Sequence, residues 1–180
     1  SYLTGILDSA GATYTKTSDG AGGYTITMPE NTNYIGQPTR LNGEIKPLLD
    51  RKLWSEPADI VVNQHNSGKP IFPFVVMSAA ESHFMIAEAI TKGLASGNAE
   101  TFYQTGIRHA MELWDVASAD IDNYLATEDM AKLNGSTDQN LEKIATQRWM
   151  ALFTNGFEAW AVVRDTGYPT ELSAGVSDDD

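Results

Sequence analysis

Carboxylates are the commonest ionisable group in this sequence, with 24 Asp and Glu against 12 Lys and Arg. A glycosidase sets two carboxyl groups at a defined separation across a cleft. Spacing along the chain does not fix that separation, so no catalytic pair is expected from the acidic excess alone. The three histidines, His65, His83 and His109, have no cysteine or second histidine at metal-ligand spacing, so structural or solvated roles are expected of them. His83 is expected to be partly buried and hydrogen-bonded. Motifs that would carry nucleophilic, metal or phosphate chemistry, G-x-S-x-G, H-E-x-x-H, G-x-G-x-x-G and G-x-x-x-x-G-K-[ST], do not occur; Ser67-Gly68-Lys69 has Asn63 where a phosphate loop needs its first glycine. With no cysteine, thiolate ligands, disulfides and a cysteine nucleophile are also excluded from this chain. No catalytic residue, metal or cofactor is expected from these motifs.

Aromatic residues remain. Trp114, Trp149 and Trp160 fall on apolar helical stripes and are expected to be core, with Trp149 and Trp160 filling the joint between the last two helices around Gly156. Trp54 lies in Arg51-Lys52-Leu53-Trp54-Ser55-Glu56-Pro57, which has no stripe to join, and Tyr34 and Tyr24 stand among Gly and Asn. Flat aromatic faces with neighbouring amides suit sugar rings and peptide backbones. Trp54, Tyr34 and Tyr24 are therefore the candidate ligand-binding residues, with packing under the loops as the plain alternative.

The elements that would position them divide the chain into three parts. Residues 1–75 are rich in Gly, Pro, Asn and Ser and lack a helical period, which predicts loops and short strands. Tyr14-Thr15-Lys16 and Tyr24-Thr25-Ile26-Thr27-Met28 flank Ser18-Asp19-Gly20-Ala21-Gly22-Gly23, a pattern for a hairpin with a wide Gly-rich loop. Residues 76–169 are expected to be helical. Val76, Ala80, Phe84, Ala87 and Ile90 predict a helix over about 76–92, ending near Gly93. Ala99, Tyr103, Ile107, Met111 and Trp114 predict a second that folds back on it. Gly106 weakens that helix by about 1 kcal/mol, so a tight crossing is expected there. Ile121, Tyr124 and Leu125 seat a short helix. Ser136 and Gln139 form a capping box for one reaching Gly156, and a last one runs from Phe157 to Arg164. Residues 170–180 read as an acidic tail. The fold class is mainly α, with paired tetratricopeptide-like helices and a loop-rich, short-strand amino-terminal half; no self-similar repeat is found.

A net charge of −12 and pI near 4.5 argue against nucleic acid as a partner, because such binding needs clustered Lys and Arg. No window is apolar enough to span a membrane. Ser1-Tyr2-Leu3-Thr4 carries no signal-peptide pattern, and the chain reads as a fragment of something longer.

Three stretches together resemble the SusD/RagB family of outer-membrane nutrient-binding lipoproteins, specifically its carboxy-terminal part. They are the run Phe72 to Ala89, with a proline-apolar lead-in and Glu81-x-x-Phe84-x-x-Ala87-Glu88-Ala89; Tyr103-Gln104-Thr105-Gly106-Ile107-Arg108; and Leu141 to Phe153 with Asn155 to Trp160 and Arg164 to Pro169. Tyr34-Ile35-Gly36-Gln37-Pro38 fits more weakly. The resemblance implies a non-catalytic, surface-exposed protein of the cell outer membrane. Such a protein binds an oligosaccharide or a peptide and works with a TonB-dependent porter. The resemblance also implies attachment through an amino-terminal lipid anchor on a cysteine absent from this chain. Arg148, Glu158 and Arg164 are expected to form an ionic network that holds the fold. A tetratricopeptide-like interaction module and a glycoside hydrolase are the alternatives from other classes.

Overall fold

The structure, a computed structural model, describes residues 14–27, Val61 and residues 75–173. They belong to two units that divide between Phe72 and Pro73. In the first, β1 (Thr15–Ser18) and β2 (Tyr24–Thr27) pair antiparallel, Thr15 opposite Thr27 and Ser18 opposite Tyr24. Asp19 organises the loop between them. Its Oδ1 accepts from the backbone N–H groups of Ala21 at 2.8 Å and Gly23 at 2.9 Å, while Gly20 and Gly22 take φ of 76° and 93°, which a side chain would oppose.

The second unit is helical: α1 (Ala79–Thr91), α2 (Ala99–Leu113), α3 (Ser118–Thr127), a 3-10 turn (Asp129–Ala131), α4 (Thr137–Ala151), α5 (Gly156–Thr166) and α6 (Thr170–Ser173). The protein is thus mainly α. Helix α1 starts at Ala79 and not at 76 because Ser78 caps it, its Oγ accepting from the Glu81 N–H at 3.3 Å. Gly93, at φ 73°, ends it. Asn98 caps α2, and α2 runs antiparallel to α1: Phe84 meets Tyr103 and Gly106, His83 meets His109, and Ile90 meets Gly97. At Gly106 a Cβ would lie 2.8 Å from the Phe84 ring, so the missing side chain is what lets the helices approach.

Ala80, Phe84, Ala87, Tyr103 and Ile107 are buried at this contact together with Ala131 and Ile144, which brings α4 across the α1–α2 pair. The Tyr103 hydroxyl donates to the Met130 carbonyl and fastens the 3-10 turn to α2. Burial holds its phenol far above the usual tyrosine range. The capping box on α4 is formed in both directions: Gln139 N–H donates to Ser136 Oγ at 3.3 Å, and Ser136 N–H to Gln139 Oε1 at 2.9 Å.

Helix α4 stops at Ala151, short of Gly156, because Thr154 takes the left-handed conformation at φ 78° and Asn155 caps the next helix. Gly156 therefore opens α5. A second core joins Ala145 and Leu152 to Val162, with Trp149, Ala159 and Tyr168 against it. The short α6 lies in what the sequence reads as tail.

Candidate functional site

Helix α4 spends most of its circumference on packing. Ile144, Ala145 and Leu152 face the two cores, Gln147 donates to the Tyr124 hydroxyl at 2.9 Å, and Arg148 reaches Glu81. The remaining stripe carries Gln139, Glu142, Lys143, Thr146, Trp149 and Met150 at steps of three and four, one face of the helix. Two hollows open along it.

The first, about 510 Å³, is polar and is lined by Asp129, Asn134, Gln139, Glu142, Thr146 and Pro169 among others. The Lys143 ammonium fixes its floor. Its Nζ donates to Asp129 O at 2.9 Å, Asp129 Oδ2 at 2.8 Å, Lys132 O at 2.9 Å and Asn134 Oδ1 at 2.9 Å, three protons shared among these oxygens. The hydrogen bonds from Lys143 and then from Asn134 hold the Asp129 carboxyl below the usual aspartate range. A general acid needs a carboxyl kept protonated near neutral pH. Asp129 is therefore a fixed acceptor, suited to hydroxyl groups and not to proton donation.

The second hollow, about 500 Å³, is an apolar groove lined by Trp149, Phe153, Ala159, Trp160, Val163 and Leu172 among others. It corrects the expectation for the two tryptophans. Trp160 is 57% exposed, so its ring does not fill the corner, whereas Trp149 is half-buried, packed against the second core on one side and open to the groove on the other. The reason is the face α5 presents: Ala159, Val162 and Val163 form its packed stripe, and Trp160 lies about 100° round the helix from Ala159. Trp114 is half-buried as well, with the Phe153 ring edge-on at 5.4 Å.

Trp54 and Tyr34 lie outside the described residues. Tyr24 is the first residue of β2, half-buried, with Lys16 Nζ 4.1 Å from its ring centroid, so a cation occupies one aromatic face. His65 is outside the described residues. His83 is partly buried as expected, but its Nδ1 has no hydrogen-bond partner, and its ring stacks on His109 at 5.3 Å, a pairing that only the helix crossing creates. Among the described residues no group of three His, Cys, Asp or Glu suits a metal ion, and no helix is long and apolar enough to cross a membrane.

The ionic network also differs from expectation. Arg148 pairs with Glu81 at 3.2 Å and Glu88 at 3.9 Å, tying α4 to α1, and among the described residues neither Glu158 nor Arg164 joins it. Glu158 and Arg164 point away because α5 turns Ala159, Val162 and Val163 inward. The residues that line the two hollows were missed as site residues, because which face of α4 stays open, and which segment borders it, is set by packing between elements.

A family model described as "Starch-binding associating with outer membrane", of the SusD-like group, matches residues 26–180. Among solved structures, a Bacteroidetes SusD-like protein is 35% identical with a TM-score of 0.53, over 57% of this chain and 21% of that one. The structure of BT1043 is 23% identical with a TM-score of 0.57, over 93% of this chain and 37% of that one, a likeness of fold. The chain thus spans between about a fifth and two fifths of the length of these relatives. No curated protein matches it.

Proposed function

The chain belongs to the SusD-like family, and on that premise we propose that it serves non-catalytic capture of an oligosaccharide at the outer surface of the cell, for import through a TonB-dependent porter. The observation that carries this is the family match over residues 26–180, whose description joins starch binding to the outer membrane. Lipid anchoring belongs to the same reading. Support from chemistry is of two kinds: the described hollows offer hydroxyl acceptors and aromatic faces, the two surfaces a sugar needs, and Asp129 is held ionised, against the needs of a general acid. Trp54, Tyr34 and Tyr24 are proposed, separately, as aromatic ligand contacts of the amino-terminal half.

Calorimetry of the protein against a panel of neutral oligosaccharides, with chromatography of the sugars afterwards, tests this reading. Saturable binding with every sugar recovered intact is expected. Hydrolysis would move the protein to the glycosidase class, and absence of binding across the panel would remove the capture role.

A further inference from the structure

We propose that the polar hollow and the aromatic groove are two ends of one trough, and that it takes a neutral oligosaccharide laid along the outward face of α4. The inference rests on the capture reading and names its site. Gln139, Glu142 and Thr146 line the polar end, Trp149 and Met150 the apolar end, and all share one helical stripe. From residue 139 to 150 that stripe runs roughly 16 Å at about 1.5 Å per residue. One stretch of chain borders both ends: Pro169 lines the polar hollow and Leu172 the groove, joined by the Leu172 N–H donating to the Pro169 carbonyl at 3.1 Å.

Each end does what the other lacks. Indole faces at Trp149 and Trp160 attract the C–H face of a pyranose but supply few hydrogen bonds, whereas Asp129, Glu142 and Asn134 supply acceptors and amides without an aromatic face. Charge selects among sugars. Lys143 offsets Asp129, so Glu142 at the polar end and a net charge of −12 are what oppose uronic or sulfated chains, and they leave neutral ones unopposed.

The test is calorimetry with malto-oligosaccharides of increasing length, a second neutral series such as manno-oligosaccharides, and oligogalacturonides as acidic comparators. Affinity for a neutral series is expected to rise with length and then level off. Trp160→Ala should weaken it at least about fivefold, by analogy with loss of one stacking face, and Glu142→Gln about threefold or more. Phe157→Ala, on an exposed side chain outside the groove, should leave it unchanged. Circular dichroism establishes that each variant keeps its helices; if Trp160→Ala does not, Glu142→Gln reads the polar end alone. Binding that persists with wild-type Kd in both trough variants, or that favours the acidic sugars, overturns the trough and leaves the capture reading standing. No binding of any neutral sugar overturns both.

Discussion

Arg148 is the residue whose surroundings decide most. Its guanidinium lies between two carboxylates of α1, and Glu81 is only 6% exposed, so the pair is largely withdrawn from water while Arg148 Nε finds no partner. A buried pair contributes little net stability but costs much when half of it is removed. Arg148→Ala should therefore destabilise by about 3–5 kcal/mol, whereas the double change Glu81→Leu with Arg148→Met should fall near wild type. Urea unfolding monitored by circular dichroism distinguishes the two, and a mild Arg148→Ala would show that water reaches Glu81. The sequence suggested that Arg148 holds the fold. Its partners could not be read, because Glu81 and Glu88 lie some sixty residues away and become neighbours only when α4 crosses α1.

Among the elements, the α1–α2 hairpin and the α4–α5 corner behave differently. The hairpin closes through large buried side chains at regular spacing, with Phe84 and Tyr103 fully buried and Gly106 making room for the ring. Gly106→Ala would gain about 1 kcal/mol of helix propensity but would place a methyl 2.8 Å from a buried ring that has nowhere to go. Overpacking of this kind costs about 1–3 kcal/mol. The net effect should be destabilisation, seen as a lower urea midpoint at an unchanged slope; a higher midpoint would show that Phe84 yields. At the corner, a turn with Thr154 in the left-handed region rotates α5 so that its small residues pack and Trp160 does not. A stripe that includes Trp160 predicts burial equally well until the rotation of α5 is known.

At the scale of the whole molecule, net charge and binding chemistry make separate statements. A charge of −12 repels polyanions over a range set by the salt concentration. Stacking and neutral hydrogen bonds do not depend on salt in that way. Affinity for a neutral oligosaccharide should accordingly change less than about twofold between roughly 50 mM and 500 mM salt, whereas any binding of acidic sugars should strengthen as salt screens the repulsion. Titrations repeated at several ionic strengths check this. A steep loss of neutral-sugar affinity with salt would mean that a charged contact dominates the site.

The mainly helical fold, the capping box that starts α4, the tight approach at Gly106 and the family resemblance were all legible in the residues, because caps, helical period and steric room are local or nearly local properties; the Ser78 cap that moves the start of α1 from 76 to Ala79 was not read. Family membership was legible for a related reason: the motifs that carry it are packing residues in fixed order. The candidate site was not. Trp54 and Tyr34 lie outside the described residues, and Tyr24 shares its ring with Lys16. The α4 trough depends on which face of that helix stays open once α1 and α5 have taken theirs. It also depends on the segment from Pro169 to Leu172 lying beside it. Only the tertiary structure decides those questions, because a helical stripe specifies which residues share a face and leaves open what that face will meet.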